Sequence, residues 1–245
     1  EGGLNIGSYH SGEDARVQFT AEAKDTGLTD GSEKLVNQSK VAVGDKVLHK
    51  HTEVTVKYGW GPERPTYKFD QPADHAVFNS VTDNPVLGDE RFFVRIEEKS
   101  SGRAYSGNIT LEAGKQYEVY IYYHNNAAWE LNRAEHKYKG VARNVRLIAN
   151  FPTKLTAGER KHVSAIIRAD NTDPEAVWAR AYIIAKEDMT LHYVTGSAKI
   201  YNDWKANGCV LSIKLFSSDG TFLGLDALNG VILGDQKLYS GYVVY

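Results

Sequence analysis

The chain holds one cysteine, one methionine and six prolines in 245 residues. A single thiol, Cys209, closes no internal disulfide, and no Cys-x-x-Cys pair exists to grip a metal. Cys209 is read as a small buried hydrophobe rather than a reactive thiol. No apolar run approaches the ~18 residues that a membrane-spanning helix requires, so no membrane span is expected. Lys and Arg number 29 against 31 Asp and Glu, giving a net charge of −2. Without a basic field, nucleic acid is not the expected partner. Helical stretches rich in Leu and Glu are scarce. Catalytic signatures are missing too. There is no Gly-x-Ser-x-Gly, and the eight histidines are scattered over unrelated segments. Gly59-Trp60-Gly61 leads into proline-rich chain rather than a helix, so it is no phosphate loop. No enzyme activity and no cofactor are expected.

What is present is alternation. Residues 109–127 read ITLEAGKQYEVYIYYHNNA. A short strand enters a turn at Ala113-Gly114-Lys115, and a long strand follows. Tyr117, Val119, Ile121 and Tyr123 fall on one face, Glu118, Tyr120, Tyr122 and His124 on the other. That period of two marks a strand with one buried face. Asn125-Asn126 ends it, since Asn tolerates turn geometry.

The same grammar runs along the chain. Residues 1–14 are polar and Gly-rich, with Leu4 and Ile6 the only alternating apolar pair. Residues 15–23 form a strand with Val17 and Phe19 on its apolar face. Residues 24–39 read as a loop, and 41–58 as a strand pair broken at Gly44-Asp45, with a β-bulge near His51–Glu53 where the apolar parity changes. Three of the six prolines lie in 59–74, an expected irregular connector. The resulting division is a strand-rich segment at 1–58, the connector, and a main domain at 75–245. Further strands are expected at 91–97, 141–151, 162–169, 181–185, 189–193, 198–201, 210–215 and 240–245. Asp173-Pro174 is a favourable helix start, which predicts one short helix over 174–179. Strands spaced by Gly and Asn turns, with no β–helix–β alternation, give an all-β fold of sandwich type.

Several side-chain groups invite chemistry. His49-x-His51 with Glu53 has zinc- or copper-like spacing, but beside Lys50 it is read as a solvated strand face. Thr82-Asp83-Asn84 and residues 170–173 offer oxygens for calcium, and are read as a turn and a helix cap. Adjacent carboxylates such as Asp89-Glu90 point to opposite faces of a strand, so they do not converge as a glycosidase pair. Trp60 and Trp129, with Tyr67, Tyr138 and Trp204, either stack on sugar rings or plug the open ends of a sandwich.

The pattern at 109–127 resembles the Ig-like repeat domain found in bacterial cell-surface proteins. GPERPTY at 61–67, FNSVTDNP at 78–85, GDERFFVRI at 88–96, YHNNA at 123–127 and SGYVVY at 240–245 together resemble a group of secreted bacterial proteins without an assigned activity. The resemblance covers about residues 59–245. It implies an Ig-like β-sandwich with Greek-key-type connections and a secreted or cell-surface location; it brings no functional residues with it.

Two functions are expected from these features. The first is a self-assembling, pilus-like extracellular subunit. In it Leu4, Ile6, Val17 and Phe19 of one copy would add to a sheet edge of the next, and the homopolymer would grow by strand complementation. The second is a surface adhesin or carbohydrate-binding module that holds a glycan against Trp60 and Trp129.

Overall fold

The computed structural model describes residues 31–43, 46–99, 102, 104–235 and 240–245, with backbone pairing as the main information for 31–58. Leu4, Ile6, Val17 and Phe19 lie outside the described residues. The chain is all-β. In order, the strands are β1 (Gly31–Val43), β2 (Lys46–Tyr58), β3 (Trp60–Gly61), β4 (Val94–Glu98), β5 (Asn108–Leu111), β6 (Tyr117–His124) and β7 (Arg146–Asn150). There follow β8 (Lys154–Leu155), β9 (Arg160–Arg168), β10 (Ala176–Ala185), β11 (Met189–Thr190), β12 (Lys199–Asn202), β13 (Thr221–Phe222) and β14 (Ser240–Val244). Helical structure among the described residues is limited to single 3-10 turns at Trp129–Asn132, Ala134–His136 and Ile213–Phe216.

Two sheets build the body. One runs β13-β7-β9-β10-β3, with β5 added parallel to β10. The other runs β12-β14-β6-β4 and is antiparallel throughout. Their apolar faces share one core, in which Val94, Ile121, Tyr123 and Val243 from the second sheet join Leu147, Ile167, Val177 and Ile183 from the first. The first sheet's inner face is layered by register. Leu147, Ile167 and Val177 form a bulky row across three strands, and Ala149, Ala165 and Ala179 form a small row beside it. All three alanines are fully buried. Alternating bulky and small rows leaves hollows that the facing sheet fills, which is how interiors reach close packing.

The hairpin of β1 and β2 pairs in unbroken register from Gly31↔Tyr58 to Val43↔Lys46. This corrects two expectations. Residues 31–39 are strand rather than loop, because each has a partner on β2. No bulge interrupts His51–Glu53, so the change of apolar parity is carried without an extra residue. Downstream, residues 59–74 are bonded into the body. The carbonyl of Gly59 accepts from the Arg180 N–H at 2.7 Å, Tyr67 N–H donates to Ser80 O at 2.9 Å, and Ala73 N–H donates to Asn126 O at 2.9 Å.

The helix expected at 174–179 is absent: β10 begins at Ala176. Its residues pair with β9 on one edge and with β3 and β5 on the other. The alternating Val177, Ala179, Ala181 and Ile183 are all buried, so tertiary pairing outweighs a local helix-start signal. The expected strand at 210–215 is instead an extended entry into the 3-10 turn at Ile213–Phe216, capped by the Ser212 hydroxyl accepting from Lys214 N–H. Cys209 is exposed, not buried. It follows the turn Asn207-Gly208, and its backbone is bonded on both sides: Cys209 N–H to Ala206 O at 3.0 Å and Ile200 N–H to Cys209 O at 3.1 Å.

Candidate functional site

Strand β6 connects the two most elaborated places in the molecule. At its Tyr117 end the sheets part to form a cleft of about 580 Å³. Ile96 and Val119 face it from one sheet, Val163 and Ile183 from the other. These are the same inward positions that build the core further along, so the cleft is core surface left uncovered. Phe151, Tyr193 and Tyr245 form its aromatic wall. Phe216 packs behind them, with ring centroids 4.7 Å from Tyr193, 5.1 Å from Tyr245 and 5.4 Å from Phe151.

The polar groups of the cleft are mostly satisfied. The Tyr117 hydroxyl accepts from Glu112 N–H at 2.8 Å, and that of Tyr193 accepts from Ala198 N–H at 3.1 Å. Lys99 pairs with Glu118 at 3.1 Å and Lys115 with Glu98 at 2.9 Å. Two groups stand apart. Lys199, on the cleft lining, makes no ion pair among the described residues. The Tyr245 hydroxyl is buried with no hydrogen-bond partner among them, and burial pushes its phenol well above the ordinary range. Leaving such a group unpaired costs about 1–3 kcal/mol. Lys99 and Lys115 are matched by Glu118 and Glu98, so Lys199 leaves the cleft with a surplus of one positive charge.

At the other end of β6 the chain YHNN turns inward and builds a sealed polar network. His124 and Glu90 are each 1% exposed. Their Nδ1 and Oε1 atoms lie 2.8 Å apart. Asn84 Nδ2 donates to Glu90 Oε1 at 2.8 Å and Asn126 Nδ2 to Oε2 at 2.9 Å, so both carboxylate oxygens are engaged. His124 Nε2 meets the Asp235 carbonyl at 2.7 Å. Asn79 substitutes for a strand neighbour: its Oδ1 accepts from His124 N–H at 2.8 Å and its Nδ2 donates to Tyr122 O at 3.0 Å. Arg64 closes the network's flank, giving Nε to Ser80 Oγ at 2.9 Å and Nη2 to Asn79 O at 2.7 Å. Burial, helped by Arg91, holds the Arg64 guanidinium down at about 10.

Chemically the network has an acid–base pair but no access. With His124 and Glu90 almost wholly covered, it pins the segments 79–90, 124–126 and 235 together rather than meeting solvent. The cleft has access and apolar depth but no paired nucleophile and base. It is built to bind.

The outer face of the second sheet carries a row of tyrosines. Tyr201 and Tyr242 stack at 5.1 Å with planes 17° apart, Tyr242 and Tyr120 at 4.9 Å and 26°, and Tyr120 and Tyr105 at 5.0 Å and 42°. Because the rings stack on one another across the strands, their faces are turned inward along the row. A sugar ring would meet edges and hydroxyls, not faces.

Of the residues picked out for ligand stacking, Trp60 lies at 9% exposure on β3. Arg91 covers one ring at 4.1 Å, Arg64 stands 5.6 Å away, and Phe92 meets it edge-on at 6.4 Å. Trp129 is 40% exposed at the start of the first 3-10 turn. Neither lines the cleft. His49, His51 and Glu53 lie on β2, where the side chains are outside the description. Asn84, one of the calcium-like oxygens, instead caps its own turn by accepting from Val86 and Leu87 N–H at 2.9 and 3.1 Å. The Glu90–His124 pair and the cleft are not visible in the sequence. Their members sit far apart in the chain, and only YHNN, a polar end on an apolar strand, hints at burial. Comparison of the chain with family models, with curated proteins and with solved structures gives no match.

Proposed function

We propose that this protein is an extracellular binding module, an Ig-like β-sandwich with Greek-key-type connections, that holds an anionic amphiphile in the cleft between its sheets. The observation that carries this reading is an open apolar cleft walled by Phe151, Tyr193 and Tyr245, with Lys199 on its lining making no ion pair among the described residues. Ligand pockets combine apolar walls with a few orienting polar groups, and about 580 Å³ lies within their usual range. The apolar body would rest on Val163, Ile183, Phe151 and Tyr193, with its anionic head toward Lys199. Two probes test this: 1-anilinonaphthalene-8-sulfonate, followed by fluorescence, and dodecanoate as competitor. Saturable one-to-one binding that dodecanoate displaces, and that Leu191→Arg at the cleft wall abolishes, is expected. No saturable binding to the folded protein overturns it.

A second reading is assembly through the leading segment. Residues 1–23 carry Glu1, Glu13, Asp14 and Glu22 against Arg16, four acids minus one base, a charge of −3 opposite in sign to the cleft lining. Strand addition from one copy to the next would give fibres. Sedimentation of the full chain beside a variant lacking residues 1–23 tests it: equal particle mass for both rules it out. Glycan stacking, which needs an open ring face, gains least support, since Trp60 is flanked by arginines and the tyrosines cover one another.

A further inference from the structure

Arg146 on β7 and Arg168 on β9 stand directly opposite each other in register. Opposed residues on antiparallel strands share a face with Cβ atoms only about 4.5–5.5 Å apart, and like charges so placed repel. The next strand gives no relief, because Arg168 pairs on its far side with Ala176. Among the described residues neither arginine makes an ion pair, nor does Lys214, which reaches the same place from the 3-10 turn at Ile213–Phe216. Arg146 is nonetheless held in position. Its guanidinium carbon lies 4.0 Å over the Phe222 ring, and its Nη1 donates to the Asp219 carbonyl at 3.1 Å.

These three cations line one depression of about 540 Å³ together with Asn144 and Ser218. Two carboxylates share the lining, Asp170 and Asp219, so the balance is three minus two, or +1. Asp170 is already bonded to the Asn144 amide. Repulsion between the held Arg146 guanidinium and the Arg168 opposite it, with Lys214 on the same lining, is relieved by an anion bound among them.

We infer that this depression is a binding site for a tetrahedral oxyanion, phosphate or sulfate, bridged by Arg146, Arg168 and Lys214. Guanidinium forks match such oxygens, and charge-assisted hydrogen bonds are the stronger kind. The site lies apart from the cleft, shares no lining residue with it and does not depend on the amphiphile reading.

The test is calorimetry and amide and guanidinium NMR on the full chain at low ionic strength, with inorganic phosphate and inorganic sulfate titrated separately and chloride as reference. Saturable binding of phosphate or sulfate is expected, with shifts concentrated on the Arg146 and Arg168 side chains. The double variant Arg168→Ala/Lys214→Ala is expected to weaken it by about tenfold or more. Arg143→Ala, an exposed neighbouring arginine outside the depression, and Tyr245→Phe in the cleft are expected to leave it unchanged. Should the double variant misfold, Arg168→Gln alone carries the comparison. Absence of saturable binding by wild type, or equal affinity in Arg168→Gln or the double variant, overturns the inference.

Discussion

His124 presents both of its ring nitrogens to acceptors: Nδ1 to the Glu90 carboxylate at 2.8 Å and Nε2 to the Asp235 carbonyl at 2.7 Å. In the protonated ring both nitrogens donate, and Glu90 supplies the countercharge. Asn126 Nδ2, which donates to Glu90 Oε2, also lies within 2.8 Å of Nδ1. Burial alone would lower the His124 pKa. The charge and hydrogen bond of Glu90, with the Asp235 carbonyl, outweigh it, and the net direction is upward.

That direction fixes a pH dependence. A histidine whose folded pKa lies above its unfolded value of 6.5 contributes stability that is full below 6.5 and is lost as pH rises through the folded value. Urea midpoints are expected to fall as pH is raised from neutral into the alkaline range, and His124→Asn is expected to flatten that fall. Breaking the pair by Glu90→Ala should cost about 3–5 kcal/mol, because an uncompensated buried charge is left behind. A Glu90→Ala midpoint within error of wild type would show that the pair is not holding the loops.

Tyr245→Phe removes the unpartnered hydroxyl while keeping the ring against Phe216 and Phe151. In the ligand-free protein this substitution is expected to stabilise, by up to about 1–3 kcal/mol, since the buried hydroxyl makes no bond there. The same change should leave amphiphile binding intact, since the hydroxyl is closed off from the cleft while the ring stays in its wall. Thermal unfolding and probe titration on one sample check both outcomes. A destabilised Tyr245→Phe would mean that the hydroxyl is bonded within the protein.

The tyrosine row is an energetic unit. Tyr242 lies between Tyr201 and Tyr120, so Tyr242→Ala removes two stacks. At about 0.5–1.5 kcal/mol each beyond area burial, a loss of about 1–3 kcal/mol is expected. Burial and the neighbouring Tyr242 push Tyr120 up to about 12. In Tyr242→Ala the Tyr120 titration should move down toward 10, read by ultraviolet difference titration against a Tyr120→Phe blank.

Gly61 pairs with Trp178 across β3 and β10, and a Cβ there would lie 2.5 Å from the Trp178 ring. Gly61→Ala is expected to displace the indole and cost about 1–3 kcal/mol, the usual range for overpacking. A changed near-ultraviolet circular dichroism signal should accompany it. An unaltered spectrum with unaltered stability would place the indole elsewhere.

Cys209 is exposed. One equivalent of a thiol reagent is expected to react with the native protein as fast as with the unfolded chain, to within about an order of magnitude. Protection that persists until denaturation would return the thiol to the interior.

The alternation in residues 109–127 determined β6 and the inward row Val119, Ile121 and Tyr123, because side-chain period is a local property of a strand; Tyr122 and His124 on its other face are buried as well, by the loops packed over them. The same holds for β4 and β9, where Val94 and Ile96, and Val163, Ala165 and Ile167, recur at every second residue, and for the all-β class. Tertiary structure decided what local signals had no means to carry. Asp173-Pro174 resembled a helix start until pairing on both edges of β10 outweighed it. Residues 31–39 resembled a loop until β2 supplied partners. Glu90 and His124, Arg146 and Arg168, and Val119 and Val163 come together only through strand pairing or the packing of one sheet on another. Charge pairing and cavity shape depend on distances in space, and strand period says nothing about which strands will lie side by side.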